Sequence, residues 1–508
     1  MSLRRILQLL LTSFLNQGIT VISQLLIPPF FLRYFGLEVY GEWIALSASV
    51  NYLGTLNYGI QTYANNEMTI LYNGGNEQGA KEIQASAFRL LLLLFATFAL
   101  LGSVVFIIPI ASMLKLKHET GHGAAVTLYL LILWIAVNMM FSLMANSYMV
   151  VGKLHRGNYF QSAARLFTVL AMALAISMHA SFPVLAALQL GSLFLFFLLI
   201  LVDVSRNWPI LVPSLRYGSW KQVLLIIKPS GHFGLIALAG FLTWQAPVLL
   251  IQIVLGSAEV GIFQLIRTVF QMSRQILSIA SSTIGQDITL LVGKSDWRQL
   301  RRLYDLSERI VLFLIPVVSI GSLLMCPFLF TVWLHKRELY DWKLCLMMAI
   351  ISAVLGIKEH KTQFQSSSNK HEELSIFILV GYSVMLGVSI MMMKFFTLYG
   401  FLTTWLVWEI IQTRFVLNLN YKMFPEEHRI STQPVTRLGI FMTLAFALSA
   451  YPAYREVNWG LGWTVVCAVT VTATFGIAAY FVFEVDEIRS LLGSRFRNRR
   501  SAPRGTAL

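Results

Sequence analysis

Apolar runs of 18 or more residues recur along almost the whole chain, separated by short polar breaks. Runs of that length predict helices that cross a membrane. About fourteen are predicted, near 6–35, 41–71, 83–110, 123–151, 158–180, 182–204, 222–254, 258–291, 305–333, 342–364, 373–396, 398–420, 438–453 and 460–483. One predicted span breaks the pattern. Gln264, Arg267, Gln271, Arg274, Ser278, Ser281 and Gly285 recur every three or four residues and share one helix face. Ile262, Leu265, Ile266, Val269, Phe270, Ile276, Leu277 and Ile279 cover the rest. An arginine near the centre of a spanning helix costs roughly 2.5–3.5 kcal/mol. Two on one face are expected to look into a water-filled cavity, and a cationic cavity suits an anionic passenger. Pairing of an arginine with Glu409, or its reach to an interface, is the alternative.

A repeat follows from the same pattern. Phe35–Gly41 resembles Leu255–Gly261 at an offset of 220 residues, Gly36 to Gly256, and Glu67 and Thr69 meet Asp287 and Thr289 at that offset. Gly152-Lys153-Leu154-His155 resembles Asn369-Lys370-His371-Glu372. Six predicted helices separate the copies, so the repeats are parallel. The fold class is therefore an all-α polytopic membrane protein: two pseudo-symmetric six-helix lobes around a central cavity, plus two C-terminal helices. The boundaries are 1–205 and 222–421 for the lobes, 206–221 for a linker, 422–485 for the last two helices and 486–508 for a basic tail. The repeat maps the cationic stripe onto Ile44, Ser47, Asn51, Gly54, Tyr58, Gln61 and Asn65, a polar face without charge. That face either lines the cavity or bonds helix to helix.

Composition agrees. Of 508 residues, 56% are hydrophobic and 12% charged, against about 25% charged in soluble proteins. The net charge of +15 is explained by basic loops rather than by nucleic acid, for which no binding motif is present. Arg4, Arg5, Lys81, Lys153, Arg206, Lys294, Lys358, Lys361, Lys370 and Lys422, with the arginines after 488, fall on one alternate set of connections. That bias puts both termini in the cytoplasm. The start, Met1–Arg5, leads into a long span without a small-residue cleavage site and is read as a retained helix. Cys326, Cys345 and Cys467 show no metal spacing and read as packing residues.

Further candidates are spread along the chain. Asn16, Gln17, Thr20 and Gln24 form a neutral polar face on the first helix, which Pro28-Pro29 interrupts. Lys228 and His232 sit one turn apart beside Pro229. Lys228 either snorkels to the interface or contacts phosphate at the cytoplasmic mouth, and His232 either titrates or packs. Trp244 and Gln245 precede Pro247. Glu409 either pairs with a cation or carries a proton. No metal site, cofactor motif, HExxH, P-loop or GxSxG is present, and the outer connections 110–122 and 334–342 are short for a membrane polymerase or acyltransferase.

The first helix ends Pro28-Pro29-Phe30-Phe31-Leu32-Arg33-Tyr34-Phe35-Gly36, followed by Tyr40-Gly41-Glu42-Trp43 and Asn57-Tyr58-Gly59. With the helix count and repeat, this resembles the polysaccharide transporter family. These are the Wzx-type O-antigen and lipid-linked oligosaccharide flippases of the multidrug/oligosaccharidyl-lipid/polysaccharide exporter superfamily. The pattern departs at Asn57, where such flippases often carry an aspartate, which puts coupling through that carboxylate in doubt. The resemblance implies a bacterial cytoplasmic-membrane flippase that moves polyprenyl-diphosphate-linked oligosaccharide by alternating access. A polysaccharide polymerase and glycosyltransferases would be its partners. Arg267 and Arg274 would hold the diphosphate. Asn51, Tyr58, Gln24, Trp244, Gln264, Gln271 and Lys228 would line the path, and Glu409 and His232 are candidates for coupling. A lipid II flippase or a cation-coupled drug exporter of the same superfamily is the nearest alternative, although an exporter predicts an acidic cavity. An enzyme or a scaffold protein is the alternative from another class.

Overall fold

In a computed structural model, residues 3–455 are described apart from 214, 225–237, 239, 283, 294, 369–371 and 432, together with isolated positions between 462 and 472. Among them, eight helices are long and apolar enough to cross a membrane. The chain is a polytopic, all-α membrane protein. Its longer helices are α1 (Leu3–Tyr34), α2 (Leu37–Asn51), α3 (Leu56–Asn73), α4 (Glu77–Gly102), α5 (Gly121–Ser147), α6 (Leu154–Ser177), α7 (Phe182–Asn207), α8 (Ala246–Val254), α9 (Ser257–Ser282), α10 (Gly285–Gly293), α11 (Trp297–Val332), α12 (Trp342–Ser367), α13 (Glu372–Met423) and α14 (Gln433–Arg455). The tail and, apart from those isolated positions, the span expected at 460–483 lie outside the described residues.

Two expected helices are divided. The run 41–71 is α2 and α3 joined by a 3-10 turn, Tyr52–Thr55, and the run 258–291 is α9 followed by α10. Asn51, Gly54 and Thr55 in the first case, and Ser281, Ser282 and Gly285 in the second, are weak helix formers clustered within one turn. The two expected helices 373–396 and 398–420 form one helical stretch, broken at Thr397 (φ 51°, ψ −138°). There Gly400 approaches the backbone of Met392 so closely that a Cβ would stand 2.3 Å from its carbonyl oxygen.

The chain forms two compact units, residues 1–265 with 375–404, and 266–374 with 405–508. In the first unit α5 packs against α7, α4 and α2, and α1 packs on α6. Met139, Phe141, Leu143, Met144 and Ile200 lie in its buried core. In the second unit α11 packs on α12, and α10 and α14 pack on both. The repeat is visible in the backbone. Gly36 (φ 88°) and Gly256 (φ 104°) both turn the chain in the left-handed region. Each caps the preceding helix: Phe35 N and Gly36 N donate to Phe31 O, and Leu255 N and Gly256 N donate to Ile251 O. All three positions keep the offset of 220.

The following helices then meet reciprocally. A Cβ on Gly41 would stand 1.8 Å from Ser257 O, and one on Gly261 would stand 2.6 Å from the Leu37 side chain. Gly41 corresponds to Gly261 and Leu37 to Ser257, so one contact is the pseudo-two-fold image of the other. Gly41→Ala is expected to lower the melting temperature in detergent more than Gly18→Ala, whose Cβ would meet nothing. Overpacking of this kind costs about 1–3 kcal/mol. Equal melting temperatures for the two variants would refute the close approach.

The opening motif has a packing explanation. Phe31 stacks on Trp43 with ring centroids 6.0 Å apart and meets Tyr40 at 5.6 Å, and Trp43 meets Phe182 edge-on at 5.4 Å. Glu42 is fully buried and accepts from Lys117 N at 2.6 Å and His118 N at 3.1 Å. The carboxylate thereby fixes the connection between α4 and α5.

Candidate functional site

α12 carries four consecutive ionisable residues, Lys358-Glu359-His360-Lys361. In the sequence reading Lys358 and Lys361 belong to a cytoplasmic connection. The structure corrects this: the helix runs on to Ser367, and Lys358, His360 and Lys361 are buried within it. Successive residues of an α-helix point about 100° apart, so the four side chains reach three neighbouring helices of the second unit.

Each ion is matched. Lys358 binds Glu409 of α13 and donates to Gln412 Oε1 at 3.0 Å. Glu409, with no exposed surface, also accepts from Trp405 Nε1 at 2.9 Å. Glu359 binds Arg274 of α9. His360 Nε2 bonds Ser307 Oγ of α11 at 2.8 Å. Lys361 binds Glu308 of α11 and lies over the Tyr304 ring, 4.2 Å from its centroid. Such burial is tolerated because every charge has a counter-ion, and Glu409 and Lys358 have further hydrogen bonds as well. Gly356 brings α12 close to its neighbours, since a Cβ there would meet Leu277 of α9 at 2.6 Å and Ile315 of α11 at 3.2 Å.

The first unit has no such cluster at the corresponding positions. Tyr148 donates to Asp203 there, and Gln365 donates to Asn420 Oδ1 at 2.6 Å in the second unit. Both members of that pair are offset by 217, as Gly152 is from Asn369. The same offset sets Phe141, Ser142, Leu143 and Met144 against Lys358–Lys361, so three of the four counterparts are apolar. Charge is concentrated in the second half of the repeat.

The residues singled out by sequence are placed as follows. Arg267, Arg274, Gln264 and Gln271 project from α9 and are half-buried. Glu409 is paired, and its partner is a lysine rather than either arginine. Asn51 ends α2 and Gln24 lies on α1, both half-buried, and Trp244 is half-buried just before α8. Tyr58 lies on α3, but its side chain, like those of Asn57, Ser278 and Ser281, is outside the described atoms. Lys228 and His232 are outside the described residues. On the neutral stripe, Gln61 donates to Met139 O at 3.1 Å and accepts from Asn146 at 3.2 Å, so at that position the helix-bonding alternative holds. Among the described residues no His, Cys, Asp and Glu group is arranged to hold a metal.

Sequence reasoning missed Glu359, Lys358, Lys361, Glu308 and His360. A signal was present. Glu409 stands in a long apolar run and requires a cation, and Lys358, Lys361 and Gln365 recur at three- and four-residue spacing.

Helices of this order, with a parallel repeat, form an all-α polytopic membrane fold. Comparison with solved structures agrees. The lipid II flippase MurJ in an inward closed conformation matches with a TM-score of 0.68 at 11% identity, covering 92% of this chain and 98% of that one. A multidrug resistance MATE family transporter of the MOP superfamily, inward-facing, matches at 0.64 and 13% identity, covering 81% and 97%. An outward-facing MATE transporter matches at 0.51 and 14%, covering 81% and 94%. The chain is similar to these in fold. No protein-family model matches the sequence, and no curated protein matches it.

Proposed function

We propose that this protein is a flippase for polyprenyl-diphosphate-linked oligosaccharide in the bacterial cytoplasmic membrane, with both termini in the cytoplasm. The observation that carries the proposal is the α9 face. Arg267 and Arg274, seven residues apart, stand with Gln264 and Gln271 on one side of a helix in a transporter fold. Two guanidinium groups can take diphosphate oxygens in bidentate fashion, and a low-dielectric surround strengthens that attraction. Gln264, Gln271, Asn51, Tyr58, Gln24 and Trp244 would meet sugar hydroxyls and ring faces, and Lys228 a phosphate near the cytoplasmic mouth. Glu409 would serve coupling only if its bond to Lys358 opens, and His232 is the other coupling candidate. The two halves expected from the sequence, 1–205 and 222–421, would be the moving lobes of an alternating-access cycle.

The substrate class is anionic because the α9 charge is basic, which disfavours export of cationic drugs. Lipid II shares the polyprenyl diphosphate, and the fold likeness to MurJ favours it as the second reading. Purified protein in liposomes is expected to move a fluorescent polyprenyl-diphosphate oligosaccharide between leaflets, detected by a membrane-impermeant quencher. Failure to bind or move any polyprenyl-diphosphate sugar would overturn the proposal. Movement of lipid II in preference to oligosaccharide carriers would select the second reading.

A further inference from the structure

We infer that Glu359 is an internal competitor for the substrate's diphosphate at Arg274, and thereby a specificity-determining residue. The inference rests on the lipid-diphosphate reading above and concerns what the arginine does before the lipid arrives. Glu359 Oε1 contacts Arg274 Nη1. Both side chains are about one-fifth exposed, at 21% and 18%, so the pair is neither sealed in the core nor screened by bulk water. Oε2 of Glu359 is buried and has no hydrogen-bond donor among the described residues.

The contrast with the neighbouring pairs carries the argument. Glu409 has one oxygen on Lys358 and the other on Trp405 Nε1. Lys361 has Glu308 and the Tyr304 ring, and both ions are at most 2% exposed. Those pairs are built to stay closed. Glu359 meets Arg274 through one oxygen and one nitrogen, whereas a well-fitted carboxylate takes two parallel bonds from a guanidinium fork. Its second oxygen is desolvated without compensation, which weakens the pair. A carboxylate held this way yields to an anion that offers more oxygens and more charge.

The resting pair has two consequences. It neutralises Arg274 while the site is empty, removing most of the cost of a lone cation inside a membrane. It also sets a threshold. A lipid diphosphate, with several oxygens and more than one negative charge, displaces Glu359. A lipid monophosphate, with fewer of both, competes poorly. Specificity arises here as a difference between affinities, imposed by an element that opposes every ligand but opposes the weaker one decisively. Lys358 and His360 flank Glu359 but are held by Glu409 and Ser307, so neither replaces Arg274 as its partner without a larger rearrangement.

The test uses purified full-length protein in detergent, with farnesyl diphosphate and farnesyl monophosphate as probes and binding read by native mass spectrometry. Wild type is expected to prefer the diphosphate. Glu359→Gln, nearly isosteric, is expected to bind both probes about tenfold more tightly or better, with the larger gain for the monophosphate, so that the preference narrows. Glu359→Asp is expected to keep the wild-type preference, and Arg274→Gln with Glu359→Gln is expected to lose the gain. Melting temperatures confirm that each variant is folded. Wild-type affinities and preference in Glu359→Gln would overturn the competitor role and leave the lipid-diphosphate reading standing. Absence of binding of either probe by wild type and Glu359→Gln alike would overturn both.

Discussion

Replacing Arg267 and Arg274 together by glutamine is expected to reduce flipping roughly 10²–10⁴-fold, with each charged hydrogen bond to a diphosphate contributing about 1.5–3 kcal/mol. The two side chains share one face of α9, and no other described residue on that face is cationic. Arg274→Gln alone also strands Glu359, so part of its effect would be structural. Adding Glu359→Gln removes that complication: the triple variant should recover the melting temperature of wild type and remain inactive. Transport per folded molecule in liposomes, and surface polysaccharide in a deletion strain, measure the outcome. Wild-type flipping by a folded triple variant would refute the assignment of α9 to the substrate.

Lys358→Met is expected to destabilise the protein by about 3–5 kcal/mol, because it leaves the Glu409 carboxylate uncompensated in the core. Glu409 is completely buried and would keep Trp405 Nε1 as its donor at 2.9 Å. The double variant Lys358→Met with Glu409→Leu removes both charges and should recover most or all of the loss, since replacing a whole buried pair by apolar residues is often neutral or better. Thermal unfolding in detergent distinguishes the two. If Lys358→Met melts with wild type, the pair does not carry the structural load assigned to it. The double variant also separates stability from coupling. Normal flipping by the folded double variant would remove Glu409 from any coupling role, and a folded but inactive double variant would support one.

The opening residues illustrate what a sequence motif conceals. Tyr40-Gly41-Glu42-Trp43 carries the likeness to oligosaccharide flippases, yet in the structure these residues pack and brace. Trp43 and Tyr40 surround Phe31, Gly41 admits Ser257, and Glu42 holds the amides of Lys117 and His118. Such a motif reports the fold. The substrate contacts proposed for this chain lie elsewhere, on α9, beside the buried ion pairs of α12.

Local and periodic information fixes what can be read from the chain alone. Apolar run length sets the helices, three- and four-residue spacing sets the polar face of α9, and the matched glycines Gly36 and Gly256 set the repeat. Each depends on residues near one another in the chain, or on the same short pattern occurring twice. The tertiary structure decided the partners. Arg274 meets Glu359 across 85 residues, Lys361 meets Glu308 across 53, and Lys358 meets Glu409 across 51. Four adjacent ionisable residues in a sequence resemble a solvated loop, because an isolated charge is stable only in water. They form part of a buried helix here because three other helices bring a counter-ion or a hydroxyl to each of them, and the free energy of that arrangement exists only once the helices have packed.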